Sequence, residues 1–262
     1  MDKLFRVELL AKTPNPQKLC YAAMHTDYSE KLVSDELFNP VEPVTAYNGL
    51  WVDPMNPSEI LKESEAGRRV ISHCVKFGHW GVIEHPQITF NVGYFPHSVM
   101  QQARTHRIST SFDVQSFRYS GKRICNAIEA DDVLEAIEKT FYLRPVGFYT
   151  DRKGKKYEYT KSDRAEDINL AMNAAFHYRD RIEQGFSEEH ARGLIPFDVR
   201  QHFVVSFNLR SLLHFLDLRA KADAQLEIQW LCELMVPYLE EWVPEVWEFY
   251  EKNRFKRAKL AP

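Results

Sequence analysis

Apolar residues along this 262-residue chain repeat with two different periods, and the points where the period changes outline its elements. Across residues 4–10, Phe5, Val7 and Leu9 share one face, which predicts an opening half-buried strand ended by Pro14, Asn15 and Pro16. Residues 58–77 shift to helical spacing, with Ile60, Leu61, Ile71, Cys74 and Val75 inward, Ser58 as N-cap and Gly78 as stop. Ile88, Phe90 and Val92 alternate again within a strand over 87–94, and Pro96 then opens a predicted helix over 97–107. An acidic helix over 130–140 precedes an exposed hairpin over 146–160, whose aromatic and Thr runs flank a Lys-Gly turn. Asp163 with Glu166 resembles a capping box, and Ile168, Met172, Ala175 and Ile182 line one face of the long helix it starts. Leu209, Leu212, Leu213 and Leu216 follow the i, i+3, i+4, i+7 rule over 209–218. In the last helix Ala224, Ile228, Leu231, Met235, Tyr238 and Trp242 form a packing seam, with another subunit as one candidate partner. No repeat or low-complexity linker interrupts the chain. The expectation is one mixed α+β domain over 1–262, an antiparallel sheet packed by long helices, with its motif-bearing core at about 80–230.

Composition narrows the partners. With 44% hydrophobic and 13% aromatic residues the chain can bury a large core. A formal net charge of −3 gives no global attraction to nucleic acid or membrane, so any anion site is local. Cys20, Cys74, Cys125 and Cys232 form no CxxC pair, which argues against a zinc knuckle or disulfide framework. The opening MDKLFRVELL lacks a signal-peptide apolar run, and no stretch has membrane-spanning length. The expectation is a reduced, cytoplasmic protein.

Two polar constellations carry the candidate chemistry. Residues 101–119 hold Arg104, Arg107, Arg118, His106 and the hydroxyls of Thr105, Ser109, Thr110, Ser111 and Ser116, donors suited to oxyanions. On a helix over 97–107, Arg104 and Arg107 share one face and Gln102 and His106 another, and Ser109, Thr110, Ser111 and Ser116 then suggest a loop of free N–H donors. In the second constellation Arg210, His214 and Asp217 fall on one polar face, whereas Arg219 falls on the apolar one. Either the helix breaks at Leu218, or Arg219 points into an anion pocket, or it pairs with Asp217, Asp223 or Glu227. His73-Cys74 and Gly78-His79-Trp80 look ligand-like, but no third residue stands at metal spacing, so packing roles and no metal are expected. Arg152, Lys153, Lys155 and Lys156 read as a solvated hairpin tip able to attract an anionic ligand tail.

Arg104-Thr105-His106-Arg107, eight further residues, then Ser116-Phe117-Arg118 resembles the signature of flavin-dependent thymidylate synthases. The similarity extends to Glu84-His85, to Ala191-Arg192-Gly193, to Asn208-Leu209-Arg210, to Asp217-Leu218-Arg219 and to Ala224-Gln225 with Glu227. The resemblance implies an FAD site at Arg104, His106 and Arg107 with His85, Asn208 and Arg210, and His214 where an amide is usual. It implies dUMP binding by Gln102 (with Gln101 as the alternative), Gln115, Ser116, Phe117, Arg118 and Arg192, and a catalytic Arg219 at the uracil ring. It further implies NADPH as reductant, 5,10-methylenetetrahydrofolate as carbon donor, dTMP as product and a homotetramer with active sites between subunits. The first arginine of the motif is displaced to Arg104, Asp113-Val114 stands where Asn-Glu is common, and Asp223 replaces a usual histidine. A non-catalytic nucleotide- or RNA-binding module is the rival reading, and a metal-dependent nucleotide hydrolase using the histidines is a third.

Overall fold

A computed structural model describes residues 1–33, 51–53, 56–151 and 153–257, the side chains of 51–61 excepted. The chain opens on β1 (Arg6–Lys12) and α1 (Pro16–His25), and a β2–β3 pair (Trp51–Asp53, Asn56–Leu61) leads into α2 (Glu63–Phe77). Next come β4 (Gln87–Pro96), α3 (His97–Ala103) and β5 (Thr110–Val114). Three short helices follow, α4 (Phe117–Ser120), α5 (Lys122–Ile128) and α6 (Val133–Thr140). The hairpin β6–β7 (Gly147–Thr150, Lys156–Tyr159), α7 (Lys161–Glu183) and α8 (Glu188–Ala191) precede β8 (Arg200–Asn208). The chain then runs through α9 (Leu209–Arg219), α10 (Leu226–Trp242) and α11 (Pro244–Asn253).

The main sheet has the order β1-β4-β8-β5, antiparallel throughout. Period-2 alternation sends Ile88, Phe90 and Val92 of β4 to the face that also receives their partners Phe207, Val205 and Phe203 of β8. Against that face lie Leu212, Leu216, Leu231 and Met235 of α9 and α10 in one continuous core. A second, smaller core joins α4 to α8 through Phe117, Ile124, Ile137, Ala171, Ala175 and Tyr178. Gly121 lies between α4 and α5, where a Cβ would meet the Tyr178 hydroxyl at 2.0 Å. Arg200, 3% exposed, links the two cores through the Glu138 and Tyr94 carbonyls and Asp2, 2.6 Å away. No helix among the described residues is long and apolar enough to cross a membrane.

Several expectations change. The Pro14–Pro16 cluster ends β1 but also starts α1, with Pro16 in the first turn, where its missing N–H leaves no hydrogen bond unmade. The helix placed at 58–77 begins only at Glu63 with Lys62 as N-cap, because residues 56–61, Ser58 among them, pair as β3. Val75 is 56% exposed rather than inward, and the side chains of Ile60 and Leu61 lie outside the described residues. Gly78 does stop that helix, at φ 69°. The helix from His97 ends at Ala103, because Thr105 donates both its N–H and its hydroxyl to the Gln102 carbonyl and tightens the last turn. Of the hydroxyl-rich segment, Thr110 and Ser111 lie in strand β5 instead of a loop, since Thr110, Phe112 and Val114 alternate and Phe112 packs on the core, while Ser116 caps α4. The capping box sits at Thr160–Asp163, three residues before the expected pair. The seam of α10 is consumed by the chain's own core, leaving it unavailable to another subunit, and α11 follows it. Lys153, Lys155 and Lys156 are exposed at the β6–β7 turn, and Arg152 lies outside the described residues.

Candidate functional site

The turn after α3 and the outward face of α9 enclose a cleft of about 540 Å³. Thr105, His106 and Arg107 line one side, and Arg210, His214 and Arg219 line the other. α9 runs through Arg219, so the helix does not break at Leu218. Arg219 donates from Nε to His106 Nε2 at 3.0 Å and from Nη2 to Thr105 Oγ1 at 2.9 Å and, more loosely, to the Gln102 carbonyl at 3.5 Å. Burial, together with the charge of Arg219 and then the neighbouring His214, pulls His106 down to about 4. A neutral imidazole can accept from a guanidinium. An imidazolium could not. The His106 ring is held edge-on against Phe215 at 4.9 Å and His214 at 5.6 Å.

No carboxylate pairs with Arg219 among the described residues, although burial pulls it below the ordinary arginine value. Asp217 does not share the polar face with Arg210 and His214: it is wholly buried, taken by Tyr250 Oη and Arg254 Nη2 at 2.8 Å each. Glu227 accepts from Arg144 Nε at 2.7 Å, Gln225 at 2.8 Å and Tyr142 at 3.0 Å. Arg219 Nη1 has no hydrogen bond among the described residues. Arg219 also borders a second cleft of about 760 Å³, with Gln102, Arg144, Tyr149, Asp223 and Gln225. It is therefore a cation shared by two adjoining cavities.

The other expected flavin residues spread around the first cleft. Arg107 is exposed and has no ion pair among the described residues. Arg210 reaches Glu84 at 2.6 Å. His214 Nδ1 is buried with no partner among the described residues, an orphaned polar atom in the cleft wall. Asn208, 3% exposed, caps α9 by accepting the Ser211 N–H at 2.8 Å. His85 is exposed beside Glu84, and Arg104 is exposed at the end of α3; neither lines the cleft. Three guanidiniums, an orphaned imidazole nitrogen and an apolar wall from Ile108 and Leu218 suit a planar, anionic, hydrogen-bonding group of the flavin nucleotide kind.

The residues expected at the substrate phosphate gather elsewhere. Ser116 caps α4, accepting the Arg118 N–H at 3.4 Å, and Arg118 pairs loosely with Glu189 of α8 at 3.7 Å. Arg192 is exposed directly after α8, while Phe117 is buried in the second core. Gln115 Oε1 is buried near His202 without a partner among the described residues. Gln102 donates to Gln225 and borders the second cleft, whereas Gln101 contacts His97 at 2.8 Å on an exposed surface. Strand β5 separates the two groups by roughly 13 Å of extended chain. Sequence reasoning missed Thr105 as a partner of Arg219 and the half-buried Arg144 as the partner of the buried Glu227. Glu227 at an inward helix position was the available signal for the second.

The cysteines offer no nucleophile. Burial pushes Cys20 and Cys232 far above the ordinary thiol value, Cys74 up to about 11, and Cys125 up as well.

The family profile described as thymidylate synthase complementing protein matches residues 8–245. A flavin-dependent thymidylate synthase of Haloarcula marismortui is 32% identical, covering 98% of this chain and 99% of its own length. That of Halobacterium salinarum is 31% identical over 98% of this chain and all of its own. Among solved structures, thymidylate synthase X from Helicobacter pylori with FAD and dUMP superposes with a TM-score of 0.63 at 17% identity, covering 94% of this chain and 98% of that one. A UMP/dUMP methylase, PolB, from Streptomyces cacaoi bound with 5-Br dUMP gives 0.66 at 20% identity, covering 98% and 97%.

Proposed function

This chain belongs to the flavin-dependent thymidylate synthase family, and on that premise we propose that it methylates dUMP reductively to dTMP with 5,10-methylenetetrahydrofolate as carbon donor. It is a methyltransferase and a flavoprotein. FAD, reduced by NADPH, supplies the hydride when bound, so the chain's own residues need only bind, orient and hold charge. Arg107, Arg210, His214 and the His106 turn hold the flavin, with Asn208 acting through the cap of α9, and the exposed Arg104 and His85 meet it from outside the cleft.

The observation that carries this reading is Arg219, a cation without a carboxylate, fixed by a neutral His106 at the boundary of two cavities. Methylation at C5 requires an electron-rich uracil, and no thiolate is available here to create one by addition. Arg219 directs its free Nη1 donors at the N3 and carbonyl edge of the ring and stabilises the charge that develops there. Gln102 orients the uracil from the same side. Ser116, Arg118 and Arg192 take the phosphate, with the backbone N–H of Phe117 and with Gln115 beside them, and a strand's length separates them from Arg219 in one chain. A complete site thus draws the Ser116 segment from another copy, in a homotetramer. Tyr119 at 85% and Leu194 at 70% exposure, adjoining Arg118 and Arg192, suit that contact.

The test is dTMP formation from dUMP, methylenetetrahydrofolate and NADPH with purified protein, with and without added FAD, and with UMP as parallel substrate. FAD-dependent dTMP is expected. Product from UMP alone would move the substrate to the ribonucleotide, and protein that binds no flavin would end the reading.

A further inference from the structure

A second constellation lies outside the two clefts. α1 ends at His25 and its following turn brings up Asp27; the last turn of α2 carries His73; and the left-handed Gly78 reverses the chain to deliver His79. Asp27 Oδ2 lies 3.1 Å from His79 Nδ1, and His79 Nδ1 lies 3.4 Å from His73 Nε2. All three potential donor atoms fall within 4.8 Å of one another.

We propose that Asp27, His73 and His79 bind a divalent transition-metal ion of the zinc class, which ties α1, α2 and the segment leading to Glu84 together. Two imidazole nitrogens and one carboxylate oxygen are the donors a borderline metal prefers, with water free to complete four-coordination. Donors about 2.0–2.1 Å from a tetrahedral ion stand roughly 3.3 Å apart, close to the 3.1 and 3.4 Å separations at His79 Nδ1. The alternative, hydrogen bonds running from His73 to His79 to Asp27, asks the single ring nitrogen Nδ1 of His79 both to accept from His73 Nε2 and to donate to Asp27, which one nitrogen cannot do. An exposed ion pair of His79 with Asp27 alone contributes little.

The site is also supported from behind. His73 is 9% exposed, packed edge-on by Tyr28 at 6.0 Å and against Phe77 at 5.0 Å. Cys74 Sγ donates to the His79 carbonyl at 3.3 Å, which fixes the backbone that presents that ligand. Asp27 and His79 are about half exposed, giving an ion an open path. The sequence concealed the site because its third ligand stands forty-six residues before His73.

The experiment is a Co²⁺ and Zn²⁺ titration of untagged, chelator-treated full-length protein. One equivalent per chain is expected, with the intense visible absorption of four-coordinate Co²⁺. At Zn²⁺ about a hundredfold above Kd, Tm should rise on the order of 5 °C. Asp27→Asn and His79→Gln, both at exposed positions, should weaken binding at least about tenfold while matching the Tm of the metal-free parent. His177→Gln in α7 serves as the control and should leave it unchanged. No binding at micromolar metal, or binding that persists at full strength in both ligand variants, overturns the proposal. The flavin and the folate are absent from this assay, so its failure leaves the synthase reading untouched.

Discussion

The two ends of strand β5 carry the two halves of the candidate site, and they are built differently. At the Thr110 end, Arg219 is locked by His106 and Thr105, His106 is wedged between Phe215 and His214, and α9 is capped by Asn208. At the Val114 end, Arg118 and Arg192 stand on the surface, and Arg118 pairs with Glu189 across 3.7 Å between half-exposed groups. The difference follows from what each half must do. Stabilising charge that exists only in a transition state requires donors oriented in advance, since any reorientation subtracts from the effect. A phosphate brings its full charge with it and can order mobile guanidiniums as it binds, or as a second subunit arrives.

The strongest test of that contrast is Arg219→Ala. Removing a preorganised donor of this type typically lowers turnover about 10²–10³-fold. Flavin should stay bound, because Arg107, Arg210 and His214 remain, so flavin absorbance and initial rates measured on one preparation separate the roles. Arg219→Lys should not restore the rate, because a single ammonium cannot span both His106 and the substrate. Wild-type turnover in the alanine variant would make the Thr110 end as dispensable as any surface charge.

Arg118→Ala probes the opposite end. Loss of one charge-assisted phosphate contact should raise the KM for dUMP roughly 10–100-fold while kcat changes only a few-fold. Tm should barely move, because the Glu189 pair is exposed and worth little. A fall in kcat with an unchanged KM would mean that this half, too, acts chiefly in the transition state.

A smaller effect should appear in stability against pH. His106 takes up a proton near 6.5 when unfolded but only near 4 when folded, so the unfolded chain binds more protons between those values. Stability is therefore intact above about pH 6.5 and is lost as pH falls toward 4. His97 and His202, also depressed by burial, add in the same direction. Comparing the protein with His106→Gln isolates the one residue: by pH 4.5 the parent should have lost on the order of 2 kcal/mol more than the variant in urea unfolding. Parallel losses in the two proteins would show that His106 is not held neutral.

Periodicity revealed most of the scaffold and little of the site's wiring. β4, α7 and α9 were legible because each buries one face, and burial imposes a period on the sequence. Thr105 ended α3 early through a local hydroxyl bond, and no periodicity carries that. In β5, Thr110 and Ser111 mask an alternation needing only Phe112 and Val114 to pack. For Arg219 the helical phase raised the right question, an unpaired cation on an apolar face. Only the fold answered it, by assigning Asp217 to Arg254 and Glu227 to Arg144. The same limit hid Asp27 from His73 and His79. Pairings across long separations depend on topology, which no local spacing records.

The smallest expected change is at Glu84. It holds Arg210 at 2.6 Å, but both side chains are more than a third exposed, so the pair should contribute under about 1 kcal/mol. Glu84→Gln should accordingly shift Tm by no more than about 3 °C. It also releases a guanidinium at the cleft from a competing carboxylate. The affinity for an anionic flavin nucleotide should then rise modestly, within roughly fivefold, and the gain should shrink as salt screens the freed charge. Fluorescence titration with FAD at low and high salt reads this directly. A large loss of flavin affinity instead would mean that Glu84 is what aims Arg210 into the cleft, and the preorganised end of the site would extend one residue further than its hydrogen bonds indicate.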